Sequence, residues 1–319
     1  MKKLAMKLIG ACSLLLLFLT GCTDKIAVLN PQGPVARQQY HLIIWSVILT
    51  AFIFAVVLII FIYVLVKFGR KNNHEGYDPN NHGNTKLEIT WTLIPVVICI
   101  LLAVPTVKTL FDLEGPPKPA EGMSKKEPIT INVTSADWKW IFRYPKEGIQ
   151  TVNYVVIPED RPVKFNLFAH SSMNSFWVPE LGGQQYTMPD MPMKLWLQAD
   201  HVGDYLGRSA NFSGRGFAGM QFHVLSKTDA DYKAWIQNIK DTKPALTMSK
   251  YEDLLKPSNV KTMAFSSYPK KLDEKDNKAM KKMNHMEHMD IPENHMDLNS
   301  HDNDMDGMDM SDDSTKGGK

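Results

Sequence analysis

The chain has 319 residues and a formal net charge of +2, room for one or two domains and no basis for expecting a nucleic-acid partner. Its three cysteines are Cys12, Cys22 and Cys99. Everything after Cys99 is therefore without a disulfide or a thiolate metal site, whatever its compartment.

The N-terminus reads as an export signal over residues 1–21. Lys2, Lys3 and Lys7 precede an apolar run from Leu8 to Leu19, and Leu19-Thr20-Gly21-Cys22 follows. A basic start, an apolar stretch and small residues describe a secretory leader. Small residues just before a cysteine match a bacterial lipobox, with cleavage before Cys22 and a lipid on its thiol. The alternative is an ordinary uncleaved apolar anchor. Residues 22–41 then form an extracytoplasmic N-terminal segment.

Two apolar runs follow, residues 42–66 and 87–107, each around or above the roughly 20 residues that a spanning helix needs. Between them, residues 67–86 carry Lys67, Arg70, Lys71 and Lys86 against Glu75 and Asp78. The positive-inside rule places that loop in the cytoplasm and both flanking segments outside. An exported lipid at Cys22 requires the same orientation. Pro95 and Pro105 in the second run imply neighbours that satisfy the freed carbonyls, as packing against a larger membrane partner would. Glu88 sits at the cytoplasmic start of that run. It either snorkels to water or marks the entrance of a proton path.

After a Pro- and Lys-rich connector, residues 125–226 read as short strands. They are Ile129–Thr134, Trp138–Tyr144, Thr151–Ile157, Val163–Leu167, Ser175–Val178, Lys194–Gln198, Gly203–Arg208 and Met220–Leu225. Many short β-branched and aromatic segments between turn residues predict a sandwich or barrel. Residues 227–258 read as a helical extension, with Tyr232, Trp235 and Ile239 at helical spacing and a second short helix at Ser249–Leu255. Residues 259–319 are polar and predicted to be disordered. Their Met283, Met286, Met289 and Met296 alternate with His285, His288, His295 and His301. Thioethers and imidazoles suit copper, so this tail is either a weak copper-capturing segment or a solvated tail without a specific role. His170, His201 and His223 are scattered, without ligand spacing, and are expected at the surface or in hydrogen bonds.

Two spans, the segment Leu87-Glu88-Ile89-Thr90-Trp91-Thr92-Leu93-Ile94-Pro95 and a strand-rich outer domain resemble subunit II of bacterial haem–copper oxidases. The resemblance implies a transmembrane helical hairpin followed by an all-β, cupredoxin-like Greek-key sandwich, then short helices and the tail. In the cytochrome c oxidase branch that domain holds a binuclear copper centre. Here Asn174, in Met173-Asn174-Ser175-Phe176-Trp177, stands where that branch has a ligating His. In Ser209-Ala210-Asn211-Phe212-Ser213-Gly214-Arg215-Gly216-Phe217-Ala218-Gly219-Met220, Ser209 and Ser213 replace the two cysteines and Phe217 replaces the second His. Asn211 stands at the position of a backbone-ligating Glu, and Met220 alone keeps its side chain. A binuclear copper site needs soft bridging thiolates, and hydroxyl, amide and phenyl groups do not replace them.

This departure resembles the quinol oxidase branch, the menaquinol-using Gram-positive forms especially. The resemblance implies a non-catalytic subunit of an enzyme that oxidises quinol, reduces O₂ to water and translocates protons. It implies no cofactor on this chain, with haems and a copper in subunit I. Partners would be subunit I, smaller membrane subunits, membrane lipid and, through the complex, quinol. The cell membrane would hold it through both spans and Cys22. The aromatic segment Asp137–Tyr144 is expected to pack at the boundary with the large subunit. The rival reading is an extracytoplasmic lipoprotein that binds or delivers copper through its Met/His tail.

Overall fold

The computed structural model describes residues 26–68, 83–118 and 126–287. Two long helices lead the chain, α1 (Pro34–Lys67) and α2 (Thr85–Leu113). Pro34 opens α1 at a position where its fixed φ suits the first helical turn. Asn84 caps α2, its side chain accepting from the backbone of Lys86 at 3.1 Å and Leu87 at 3.4 Å. Both helices are apolar enough to cross a membrane and display their apolar side chains outward, Phe54 at 67 % and Trp91 at 63 % exposure. Within α2 the hydroxyls of Thr90, Thr92 and Thr106 donate to the carbonyls of Lys86, Glu88 and Leu102, four residues back. Pro105 deprives the Leu101 carbonyl of its helical donor. The indole Nε1 of Trp45 on α1 donates to that carbonyl at 3.4 Å. One freed carbonyl is thus satisfied inside the hairpin rather than by a separate partner.

α1 starts well before the apolar run because its first turn belongs to the outer domain. Val35 and Ala36 are buried, and Arg37 pairs with Asp200 at 2.7 Å. The preceding chain is tied in by backbone bonds from Gln32 to the Glu180 carbonyl and from Asp200 to the Gln32 carbonyl. A side chain at Gly33 would meet the Gln198 carbonyl at 2.0 Å, so only glycine permits this approach.

The outer domain is a sandwich of two sheets. Its strands are β1 (Ile129–Ala136), β2 (Lys139–Tyr144), β3 (Ile149–Val152), β4 (Tyr154–Pro158), β5 (Val163–Ala169), β6 (Asn174–Trp177), β7 (Gln185–Thr187), β8 (Met193–Leu197), β9 (Gly203–Ser209), β10 (Gln221–Lys227) and β11 (Met263–Phe265). One sheet runs β11-β3-β2-β1-β5-β8 and the other β4-β10-β9-β6-β7. The β1–β5 and β4–β10 pairs are parallel, and the others are antiparallel. Trp140, Phe142, Phe165, Phe176 and Phe222 fill the space between the sheets, with Phe176 stacked on Phe222 at 4.8 Å. Each such ring contributes roughly 1.5–3 kcal/mol by burial.

The predicted strand Thr151–Ile157 is in fact two strands. Asn153 adopts φ 59° between them, a left-handed conformation that asparagine tolerates. Its amide accepts from the Trp140 backbone at 2.9 Å and donates to the Val260 carbonyl at 2.7 Å. The short strands β7 and β11 were not expected.

Beyond β10 come α3 (Asp229–Thr242), α4 (Met248–Leu255) and α5 (Lys271–Glu287). Thr228 and Thr247 cap the first two through their hydroxyls. The prediction of disorder from residue 259 onward is overturned for residues 259–287, which hold β11 and α5. The reason is tertiary. Side chains along β2 alternate faces, and Trp140, Phe142 and Tyr144 enter the core between the sheets. Ile141 points the other way, into a second cluster with Leu246, Tyr251, Leu254, Phe265 and Leu272. The C-terminal extension therefore covers the outer face of the first sheet, and β2 is buried on both sides. Arg143, also on that outer side, meets Asp276 of α5 at 2.5 Å. Lys139 is fully buried and donates to the carbonyls of Asp137 at 2.9 Å and Lys256 at 2.7 Å. Burial holds its ammonium below its ordinary pKa.

Candidate functional site

The positions that the resemblance assigns to metal ligands converge at the ends of β6 and β9. Asn174 opens β6 and is fully buried. Its Nδ2 donates to the Ser172 carbonyl at 3.1 Å, and its backbone carbonyl accepts from the Thr187 hydroxyl at 3.3 Å. Ser209 closes β9. Its hydroxyl lies 3.4 Å from Asn174 Oδ1 and 3.2 Å from the Asn211 carbonyl. The Asn211 amide donates to the Met173 carbonyl at 3.0 Å. Met220 is buried, and its carbonyl accepts from the Ser209 backbone at 3.1 Å. The fold thus brings Asn174, Ser209, Asn211 and Met220 to one place.

Ser213 and Phe217 sit on the connecting loop. The Ser213 carbonyl accepts from Trp138 Nε1 at 2.8 Å, and its buried hydroxyl has no partner among the described residues. Phe217 packs edge-on against Phe212 at 5.6 Å. Gly216 lies flat on Trp138, where a Cβ would sit 2.3 Å from the ring. Trp138 therefore moulds this loop, a role that sequence reasoning missed. The Gly214-Arg215-Gly216 pair of small residues was the available signal. Of the aromatic segment expected at a subunit boundary, Trp140, Phe142 and Tyr144 are fully buried within this chain, while Trp138 is half-buried.

The donor chemistry here is a hydroxyl, two amides and a single thioether. These groups are neutral and hard apart from the sulfur, and the hydroxyl and amides bond to one another or to the backbone. They do not fit a binuclear copper centre, which requires bridging thiolates. Among the described residues no three His, Cys, Asp or Glu side chains group as metal donors.

The other candidate residues lie apart. Glu88 is exposed in the first turn of α2, where the helix dipole favours a carboxylate. A Cβ on Gly83 would stand 2.7 Å from its Oε1. His223 Nδ1 contacts the Asp204 carboxylate at 2.9 Å, while His170 and His201 are exposed. In the tail, Met283 is buried on α5 at 7 % exposure. Met283 is one of the thioethers of the weak copper-capturing reading. His285 is exposed on the same helix. Cys22, the Met286 side chain, His288, Met289, His295, Met296 and His301 lie outside the described residues.

Comparison with known proteins adds family context. Residues 27–109 match the family described as cytochrome c oxidase subunit II, transmembrane domain. The chain is 52 % identical over 255 residues to quinol oxidase subunit 2 of Bacillus cereus, covering 80 % of this chain and 87 % of the relative. It is 46 % identical over 256 residues to the Bacillus subtilis protein of the same name, covering 80 % and 79 %. Among solved structures it is similar to the periplasmic domain of subunit II of cytochrome oxidase from Bradyrhizobium japonicum. That match has 20 % identity and a TM-score of 0.35, and covers 37 % of this chain and 98 % of that one.

Proposed function

Because the chain belongs to the subunit II family of quinol oxidases, within the haem–copper oxidases, we propose that it is the non-catalytic second subunit of a proton-translocating menaquinol oxidase. The observation that carries this reading is the cluster of Asn174, Ser209 and Asn211. Hydroxyl and amide groups bonded to one another support a domain that keeps the sandwich without a copper relay. The logic is chemical. A soluble electron donor needs an outer relay, whereas a quinol dissolved in the bilayer can deliver electrons directly to subunit I. Haems and copper then belong to subunit I. This chain contributes assembly and stability, beside smaller membrane subunits and lipid.

In this reading the 67–86 loop is cytoplasmic, the sandwich lies outside, and Cys22 carries a lipid. The basic loop supports the orientation. Glu88 lies near a proton entrance, supported by its place at the start of α2. Glu88→Gln in the assembled enzyme is expected to lower proton pumping, and unchanged turnover and pumping would remove that role.

The whole proposal is tested by purifying the complex from its native membrane in mild detergent. Haem bands, quinol-driven oxygen uptake and no near-infrared band of a binuclear copper centre are expected. A haem-free chain carrying copper would instead support the copper-delivery reading.

A further inference from the structure

A cleft of about 400 Å³ opens between the outer end of the first sheet and the C-terminal helices. Three methionines and one histidine are among the residues that line it, namely Met188, Met191, Met248 and His170. They come from three separate parts of the chain. Met188 and Met191 pair through a β-bridge across a tight turn, with Asp190 at φ 59° between them. The antiparallel β5–β8 pair, Val163 opposite Leu197 through Leu167 opposite Met193, brings the end of β5 beside the segment that leads into β8. His170 directly follows β5. Met248 enters from the first turn of α4.

Packing does not account for Met191 and Met248. A methionine that fills an irregular core gap is enclosed, yet Met191 is 45 % exposed and Met248 is 43 % exposed. Both residues line the same cleft. Asp190, Glu252 and Lys275 also line it, with the Arg143–Asp276 ion pair at its floor, so three carboxylates face two cationic groups. Thioethers are soft, neutral donors that select Cu(I) over hard ions, and a neutral imidazole suits the same metal.

We propose that this cleft is a binding site for a soft monovalent metal ion, Cu(I), ligated by the thioethers of Met188, Met191 and Met248 and the imidazole of His170. The site is separate from the Asn174–Ser209 cluster, and none of its four proposed ligands belongs to the Met/His tail. No electron transfer is involved. The ion binds as Cu(I) and leaves as Cu(I).

The test uses the full-length chain, purified alone in detergent and held under anaerobic reducing conditions. Cu(I) is titrated in competition with a chromophoric Cu(I) chelator. The combined variant Met188→Leu, Met191→Leu and Met248→Leu keeps side-chain volume, and its thermal melt reports folding. Wild type is expected to hold one more equivalent of Cu(I) than this variant, and His170→Gln is expected to weaken that equivalent about tenfold, by loss of one ligand. Equal equivalents in wild type and the triple variant would place all binding elsewhere, the tail included, and overturn the proposal. A second measurement needs no variant. Ag(I), a redox-inert substitute, should slow peroxide oxidation of Met188, Met191 and Met248 to sulfoxide, read by peptide mass spectrometry. Met173, 43 % exposed and outside the cleft, is the internal control. Protection of all four alike, or of none, would overturn the site.

Discussion

Replacing Asp276 by alanine strands Arg143. The two side chains meet at 2.5 Å with only 8 % and 2 % of their surfaces exposed. Asp276 also accepts from the Asn132 amide at 2.9 Å, which is itself bonded to Asn166. In the variant Arg143 keeps only Thr134, at 3.2 Å, for Nη2, and its charge remains buried. Removing one partner of a buried pair costs about 3–5 kcal/mol. The cost falls on the docking of α5 against the sheet. At about 1.4 kcal/mol per tenfold, amide exchange across α5 should accelerate on the order of 10²- to 10³-fold. The assay is hydrogen–deuterium exchange of the full-length chain in detergent. Arg143→Met combined with Asp276→Leu should restore most of the protection, because apolar residues of similar size replace such pairs at little loss. Exchange within a few-fold of wild type in the single variant would refute the claim that this pair holds α5. A double variant as loose as the single one would show that shape, rather than an unpaired charge, governs the site.

Three further outcomes are expected. Gly207→Ala places a Cβ 2.2 Å from the ring of fully buried Phe222. Overpacking should cost about 1–3 kcal/mol, read as a lowered melting temperature of the sandwich, and an unchanged melt would show that the ring can move aside. Trp138→Phe removes the donor to the Ser213 carbonyl. A loss of about 0.5–1.5 kcal/mol should show as faster exchange of the 213–217 amides with the rest of the sandwich unaffected. Lys139 gives a pH test. Burial lowers its pKa below 10.5 in the folded chain, so the unfolded chain binds the extra proton in the window between the folded value and 10.5. Stability relative to Lys139→Met should therefore rise with pH through that window. A wild-type melting temperature that falls relative to the variant's as pH rises there would contradict the assignment.

The local elements were largely legible in the order of residues. The two spans follow from apolar runs that no soluble element needs, and most strands from β-branched segments between turn residues. The candidate site was legible as chemistry, because the replacement of thiolate positions by Ser209 and Ser213 is a matter of residue type and spacing. Asn153 shows the limit of pattern. An apolar alternation reads as one strand until a left-handed asparagine, stabilised by Trp140 and Val260, breaks it.

Composition by itself determined which groups can bind a soft metal and where a chain can cross lipid, since both depend on side-chain type and run length. Only the tertiary structure decided that residues 259–287 are ordered. Their segment has too little apolar surface to fold alone, and it is held by Arg143 and the outer face of a sheet formed far earlier in the chain. The same holds for Met188, Met191, Met248 and His170. Each is an ordinary residue at its own position, and they meet in one cleft because strand register and helix docking remove the distance between them.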